Sequence, residues 1–231
     1  AVEVLKEAKA DYRLKTEGQT HNGLEFSING QRSRIDLNHY SKGKSVIVYG
    51  QTEITIDLIS THIGSGGEII FSAKNVLPNK FDTSKPNITY QHNNINYQLD
   101  CDFIAGCDGF HGVSRSQIPI KDQTIFERKY PYAWLGILAE APPPSSELIY
   151  ATHERGFALF SMRPPSRSRS YLQCSPDLDL NKWSDKRIWD ELQTRLGSKS
   201  ESLVYEGKII EKGVTPMRSF VVEPLRYGNL F

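Results

Sequence analysis

The stretch CDFIAGCDGFHGVSR (residues 101–115) places the strongest constraint on the fold, because an apolar run ends at Asp-Gly and a polar segment carrying His and Arg follows. Residues 103–105 predict a buried strand, and ligands of α/β folds bind at the carboxyl ends of such strands. Gly109 and Gly112 would let the backbone approach a ligand closely, and a short helix after them would direct its amides and Arg115 toward an anion. A plain strand-to-helix turn is the commoner structure for such a motif, so the rest of the chain must decide.

The first half of the chain predicts strands, a helix and inserted hairpins. Residues 23–37 alternate apolar and polar side chains around an Asn-Gly pair, which is a strong hairpin signal, and residues 87–100 predict a second hairpin around an Asn-Asn pair. The apolar pattern also predicts a strand at 45–49, a helix at 54–63 and a strand at 68–73. Together these elements indicate an α/β half with inserted hairpins.

The second half predicts an antiparallel sheet covered by one helix. Four short apolar stretches follow one another between polar turns: YAWLGILAE, ELIYATHE, GFALFSM and RSYLQC. A helix is predicted after Ser184, a good N-cap, and before Gly197, a good helix terminator. Residues 207–224 predict two more strands, and residues 229–231 the beginning of a buried strand.

Composition favours a small-molecule ligand. Lys and Arg number 28 against 27 for Asp and Glu, and a net charge of +1 provides no field for nucleic acid or an anionic membrane. Three cysteines without a CxxC pair indicate neither a disulfide framework nor a zinc site, so a reducing, cytoplasmic location fits best. No apolar stretch approaches the roughly 20 residues of a membrane helix.

The glycines GSGG at residues 64–67 could suggest a phosphate-binding loop. A dinucleotide fingerprint requires a strand before its glycines and a helix after them, whereas here a helix precedes and a strand is predicted to follow. The glycines therefore indicate the end of a helix and a turn.

A second polar cluster is predicted on two neighbouring strands. Ser161 and Arg163 are two residues apart and share one face of a strand, as do Arg169 and Tyr171 on the next strand. A hairpin would bring Ser161, Arg163 and Tyr171 together, and a guanidinium with hydroxyls around it suits an aromatic carboxylate. A solvated edge hairpin with surface arginines is the alternative from this stretch alone. An RNA-binding segment is excluded because its neighbours are neither basic nor aromatic enough.

These motifs together resemble the class A flavoprotein aromatic hydroxylases. VYGQTE, CDFIAGCDGFHGVSR, YPYAWLGILAE, ELIY, RGFAL, SxR with RSRSY, and MRSFVVEP occur in the order and approximate spacing of the branch acting on 4-hydroxybenzoate. The resemblance implies a partial Rossmann-like FAD-binding domain with inserted hairpins, plus a mixed or antiparallel substrate-binding sheet with a covering helix. The implied boundaries are 1–126 for the first, 127–222 for the second, and 223–231 for a return toward the first.

The resemblance also implies roles for particular residues. The cofactor contacts fall on Gln51, Asp108 and Arg169 for FAD, and on His111 and Arg218 for NADPH. The substrate contacts fall on Tyr150, Ser161, Met162, Arg163 and Tyr171, with Tyr150 also the catalytic residue at the phenolic oxygen. The chain departs from the family at the prolines of 164–165 and at Ser170, where the family tends to have an aromatic residue. The family resemblance therefore does not predict the path of the hairpin near the substrate.

The implied activity is 3-hydroxylation of 4-hydroxybenzoate with NADPH and dioxygen. A hydroxylase of another hydroxylated aromatic acid and a non-catalytic aromatic-acid binding module are the alternatives. The chain is expected to be an internal piece of a longer protein, since the GxGxxG unit of the family would precede it and a Gly-Asp flavin motif would follow it. Such a piece alone is expected to be inactive. A homodimer and a preference for NADH over NADPH stay open.

Overall fold

The computed structural model describes residues 1–163, 166–197 and 203–231, and it contains helices, strands and several sheets. The α-helices are α1 (Val2–Glu7), α2 (Leu14–Glu17), α3 (Leu37–Tyr40), α4 (Gln51–Gly64) and α5 (Asp185–Leu196). The strands are β1 (Gln19–His21), β2 (Gly23–Ile28), β3 (Gln31–Asp36), β4 (Val46–Val48), β5 (Lys74–Asn79), β6 (Asn87–His92), β7 (Ile95–Asp100), β8 (Thr124–Glu140), β9 (Leu148–His153), β10 (Gly156–Arg163), β11 (Arg167–Cys174) and β12 (Lys208–Glu223). Short 3-10 helices occupy Arg115–Gln117, Ile120–Asp122 and Leu180–Lys182.

The chain divides into two compact units. The first contains residues 1–66 and 130–217, and the second contains residues 67–129 and 218–231. The family resemblance implies different boundaries, which separate a cofactor-binding domain from a substrate-binding domain, and these boundaries stay predictions. No helix in the described ranges is long and apolar enough to cross a membrane.

The largest sheet has seven strands in the order β12-β8-β11-β10-β9-β2-β3. The pairs β8–β11, β10–β11, β9–β10 and β2–β3 are antiparallel, which confirms the predicted antiparallel character, while β2 and β9 run parallel. The coarse prediction of a mixed α/β fold is therefore confirmed. The strands β1 and β4 form a separate pair, and β5, β6 and β7 form a three-stranded sheet in the second unit.

The main core lies between α5 and one face of this sheet. Ile188, Trp189, Leu192 and Leu196 of α5 are buried against alternate residues of β8–β11, among them Leu135, Ile137, Ile149, Phe160 and Leu172. Alternation sends every second side chain of these strands to the opposite face, because successive residues of a strand point to opposite sides. The covering helix was predicted correctly, and it leaves that opposite face for other roles.

The predicted hairpins are confirmed, and their turns explain why. Asn29 and Gly30 have φ values of 48° and 84°, and Asn93 and Asn94 have values of 51° and 63°. Two consecutive residues with positive φ form the type I′ turn that suits the twist of two-residue hairpins. Asn and Gly tolerate this conformation better than other residues do, so local sequence determines both turns.

Three predicted strands differ in the structure. Residues 68–73 are not a strand, because Ser72 takes a φ of 58° and interrupts the extended backbone, so that β5 begins only at Lys74. Residues 102–106 form only an isolated parallel bridge, from Ile104 to Leu230, and Phe103 is 65% exposed rather than buried. The strand predicted at 229–231 is limited to two isolated bridges of Leu230, the parallel one to Ile104 and an antiparallel one to Tyr227.

The two strands predicted within 207–224 are a single strand, β12. Gly213 lies in the middle of β12 without a left-handed φ, so it does not break the strand. Pro216 is compatible with this strand because β12 is at the edge of the sheet, where a residue without an N–H is tolerated.

Replacing Ser184 by Ala is expected to lower the free energy of unfolding by about 1 kcal/mol. The Ser184 hydroxyl accepts a hydrogen bond from the backbone N–H of Arg187 at 3.2 Å, which satisfies one of the free amides at the beginning of α5. Urea unfolding measures the change. Ser184→Asn should retain most of the stability, and a loss as large as that of Ala would contradict the capping role.

The buried side chain of His21 predicts a pH dependence of stability. Its Nδ1 accepts from the backbone N–H of Leu148 at 3.3 Å, and its Nε2 is buried without a partner among the described residues. Burial lowers the pKa of His21, because the charged imidazolium loses its hydration. The folded state therefore binds a proton at His21 more weakly than the unfolded state does. As a result, the free energy of unfolding has its full value above the ordinary pKa of about 6.5 and falls as the pH drops below it.

Unfolding measured between pH 7.5 and pH 5 checks this expectation. One group contributes a slope of at most about 1.4 kcal/mol per pH unit. His21→Gln should remove this part of the slope, whereas His39→Gln, a change of an exposed histidine, should leave it in place. An unchanged slope in the His21 variant would contradict the assignment.

Candidate functional site

The face of the seven-stranded sheet opposite α5 carries most of the predicted substrate residues. In β10, Phe160 faces the core, so its neighbours Leu159 and Ser161 face the other way. The strand register pairs Ser161 with Arg169, and it pairs Leu159 with both Tyr171 and Tyr150. Tyr150 and Tyr171 are thus one strand apart on either side of Leu159. We call this face, which carries Tyr150, Ser161, Arg163, Arg169 and Tyr171, the ligand face.

Arg163 is a half-buried cation on the ligand face. Its Nη1 donates to the Ser161 hydroxyl at 2.8 Å and to the Met162 carbonyl at 2.7 Å. In the part of the chain that the structure describes, its partners include no carboxylate within ion-pairing distance. Burial lowers the pKa of Arg163, because desolvation penalises its charge. A desolvated guanidinium with this environment is suited to an anionic ligand.

Met162 does not face the same side of the sheet as the other residues predicted to bind substrate. Its side chain is 4% exposed and alternates to the face opposite Ser161 and Arg163. Its backbone carbonyl is the part of the residue that holds Arg163. The prolines at 164–165, which made the path of the hairpin uncertain, lie outside the described residues. Ser170 is buried and faces away from Arg169 and Tyr171 by the same alternation.

Arg169 and Tyr171 form a pair on β11. The Arg169 Nε donates to the Tyr171 hydroxyl at 3.3 Å, and the guanidinium carbon lies 5.4 Å from the ring centroid. A more distant carboxylate, Glu211 of β12, approaches Arg169 at 3.6 Å. Glu211 is exposed, so this ion pair is weak in water. Arg169 is therefore free to serve a bound group as well.

Tyr150 is part of an aromatic row that composition did not reveal. Its ring centroid lies 5.8 Å from that of Phe26 and 6.0 Å from that of Phe157. Trp134 continues the row at 5.5 Å from Phe157 and 6.5 Å from Tyr171. Trp134, Phe157 and Leu159 were missed as site residues. Alternation relative to the core would have found them, but only once the strand order was known.

A cavity of about 530 Å³ connects the ligand face to the beginning of α4. Its lining includes Gln51, the first residue of α4, together with Arg163, Arg167, Arg169 and Tyr171. The structure thus brings the predicted Gln51 and Arg169 to the same cavity. Of the described residues predicted to bind substrate, Tyr150, Ser161 and Met162 do not line it.

A hydrogen-bond network holds the β4–α4 turn that presents Gln51. The Tyr49 hydroxyl donates to Asp57 at 2.8 Å, and Arg13 donates to the same carboxylate at 3.2 Å. Burial, followed by the hydrogen bond to Asp57, raises the pKa of Tyr49 to about 12. Because Tyr49 precedes the turn and Asp57 belongs to the second turn of α4, the network fixes the orientation of the helix N-terminus.

Asp108 closes a tight turn in the second unit. Its carboxylate accepts from the backbone N–H of Ser114 at 2.9 Å, and this hydrogen bond lowers the pKa of Asp108. Gly109 has a φ of 71°, and a Cβ on Gly112 would lie 2.0 Å from the Asp108 carboxyl carbon. The two glycines are therefore required by the turn itself. The predicted helix after them is the 3-10 helix Arg115–Gln117.

His111 and Arg218 both contact Phe110 in the second unit. The guanidinium carbon of Arg218 lies 3.6 Å from the Phe110 ring centroid, and the His111 ring packs edge-on at 5.0 Å. Arg115 differs from its prediction, because its guanidinium lies 4.7 Å from the Phe110 and Phe220 rings and donates to the Phe110 carbonyl. It braces the turn instead of pointing toward an anion.

The chain is similar to known flavin enzymes in sequence and in fold. p-Hydroxybenzoate hydroxylase of Acinetobacter baylyi is 45% identical over 231 residues, which is 100% of this chain and 57% of the relative. The chain thus spans less than two thirds of that relative's length. This homology confirms the resemblance inferred from the motifs.

Solved structures share the fold at low identity. PqsL from Pseudomonas aeruginosa has a TM-score of 0.76 at 14% identity, over 99% of this chain and 64% of its own. p-Nitrophenol 4-monooxygenase PnpA from Pseudomonas putida has a TM-score of 0.71 at 12% identity, over 96% and 59%. A family described as FAD binding domain matches residues 1–231. Since that match covers the whole chain, the chain belongs to the FAD binding domain family.

Proposed function

We propose that this chain is part of an FAD-dependent monooxygenase that hydroxylates 4-hydroxybenzoate at the 3-position with NADPH and dioxygen. The observation that carries the proposal is the half-buried Arg163 beside Ser161 on the ligand face, in a chain 45% identical to p-hydroxybenzoate hydroxylase of Acinetobacter baylyi. An aromatic carboxylate would supply the ion-pairing partner within 4 Å that Arg163 does not have among the described residues, and its flat ring would pack on the aromatic row.

The residues present fit a flavin. Gln51 and Arg169 line one cavity, so an amide and a guanidinium face the same space, and both donate hydrogen bonds to carbonyl or anionic oxygens. Asp108 is a further FAD contact in this proposal, and its turn needs glycine at 112 because the Asp108 carboxyl group occupies the space of a Cβ there. When bound, FAD would supply the redox and oxygen chemistry that adds a hydroxyl group to the ring.

The substrate would be held at both ends. Arg163, Ser161 and Tyr171 bind the carboxylate in this proposal, since a guanidinium and two hydroxyls satisfy both of its oxygens. Tyr150 hydrogen-bonds the phenolic oxygen and favours the phenolate, whose ortho carbon is the stronger nucleophile. The Met162 carbonyl orients Arg163, which is a positioning role.

NADPH would bind at His111 and Arg218. Both residues pack on Phe110, so an imidazole and a guanidinium lie within one small surface of the second unit. Arginine and histidine suit the phosphates of a dinucleotide. The choice of NADPH over NADH follows the family.

The finer architecture belongs to the same proposal. Residues 1–126 and 223–231 contribute to a Rossmann-like FAD-binding domain, and residues 127–222 form the substrate-binding sheet with its covering helix α5. A cytoplasmic location is proposed from the cysteine content, and a homodimer is compatible with it.

The test uses the full-length protein that contains this chain. Oxidation of NADPH and formation of hydroxylated product are measured with 2-, 3- and 4-hydroxybenzoate. The expected result is product from the 4-hydroxy isomer alone, and preference for another isomer would support a hydroxylase of a different aromatic acid. Tight binding of the acid without any product would support a non-catalytic binding module and overturn the proposal.

A further inference from the structure

The backbone conformation at Gly136 does not require a glycine. It lies in the middle of β8, between Leu135 and Ile137, which both pack in the core under α5. It is not among the glycines with a positive φ, so an L-residue could adopt its conformation. Glycine weakens the interior of a strand, and where it occurs it often marks the close approach of another group.

The approaching group is the Arg169–Tyr171 pair. Gly136 pairs with Tyr171 in the register of β8 and β11, on the ligand face. A Cβ built on Gly136 would lie 3.3 Å from Arg169 Nη2 and 3.4 and 3.6 Å from two carbons of the Tyr171 ring. The ring and the guanidinium therefore lie directly above the space that a side chain at this position would fill.

We propose that Gly136 is a specificity-determining residue of the ligand face, because the absence of a side chain at this position lets Tyr171 and Arg169 pack close to the backbone of the sheet. Both line the cavity of about 530 Å³ that also contains Arg163. A larger residue at 136 lifts the ring and the guanidinium into that cavity and reduces the size of the aromatic acid that fits. This inference rests on the proposed function for the identity of the ligand.

The first experiment compares Gly136→Val with Gly213→Val in the full-length protein. Gly213 is a matched control, since it lies in a strand of the same sheet with nothing within 4 Å of its Cβ position. Gly136→Val should weaken binding of 4-hydroxybenzoate by about tenfold, and binding of 2-methyl-4-hydroxybenzoate, whose methyl group lies next to the carboxylate, by more, because overpacking at contact distance is costly. Gly213→Val should bind both acids as the parent does. Equal affinities in the two variants would overturn the proposal.

The second experiment needs no ligand and separates this inference from the proposed function. Unfolding of Gly136→Val, Tyr171→Ala and the double variant forms a thermodynamic cycle. Valine at 136 should be tolerated better when the Tyr171 ring is absent, so the two changes should be non-additive. Additive changes would overturn the proposal. If the parent protein binds no hydroxybenzoate, the proposed function fails, while this cycle still decides whether Gly136 positions Tyr171.

Discussion

Replacing Tyr150 by Phe is expected to lower the rate of hydroxylation by roughly 10²-fold or more, while the dissociation constant of 4-hydroxybenzoate changes little. The ring of Tyr150 packs against Phe26 and Phe157, and Phe preserves these contacts. Only the hydroxyl is lost, and with it the donor that favours the phenolate. The chemical step therefore suffers more than binding does.

Equilibrium titration and single-turnover product formation in the full-length protein check this expectation. Tyr132→Phe is a matched control, because Tyr132 belongs to the same sheet and packs on Trp134. It should leave both quantities unchanged. An equal loss of binding and turnover in Tyr150→Phe would show that the hydroxyl stabilises the bound substrate rather than the transition state. An unchanged rate would show that the hydroxyl takes no part in the chemical step.

Replacing Arg163 by Gln is expected to raise the KM for 4-hydroxybenzoate by about 100-fold, with a much smaller change in kcat. The guanidinium would bind the carboxylate, which is attached two ring positions away from the carbon that reacts. Binding energy lost at that end is lost equally by the substrate and the transition state, so KM changes more than kcat does.

The stability of the same variant separates ligand binding from a structural role. Arg163 is desolvated and has hydroxyl and carbonyl partners among the described residues, so its removal should not lower the free energy of unfolding of the ligand-free protein. Arg167→Gln tests whether positive charge alone matters, since Arg167 is exposed and pairs with Arg163 across the hairpin. A comparable KM increase in that control would argue against a specific grip by Arg163.

Local signals in the sequence were sufficient for part of the fold. Each hairpin depends on the two residues of its turn, Asn-Gly or Asn-Asn, and helix α5 depends on the residues that begin and end it. Short stretches of sequence therefore predict these elements, and the structure confirms them. The segment at 102–106 was not predictable in this way. Its partner is Leu230, more than a hundred residues later in the chain, and no short pattern encodes that distance.

The candidate site was predictable to a similar degree. The shared face of Ser161 and Arg163 follows from a period of two, and in the strand register Ser161 pairs with Arg169 and Arg163 with Arg167. Trp134 and Phe157 could not be assigned, because their contact depends on the order in which β8, β11, β10 and β9 pair. Residue roles that rest on the family resemblance alone stay predictions until the variants are measured.

The position of β9, β10 and β11 within the sheet has a consequence for how the protein opens. These three strands have a partner on each side, whereas β3 and β12 are at the edges. Edge strands lose their hydrogen bonds in small local fluctuations, and central strands exchange their amide hydrogens only in larger openings. The amides beside Tyr150, Ser161 and Tyr171 should therefore be among the slowest to exchange with deuterium, so that thermal fraying of the edges leaves the ligand face intact.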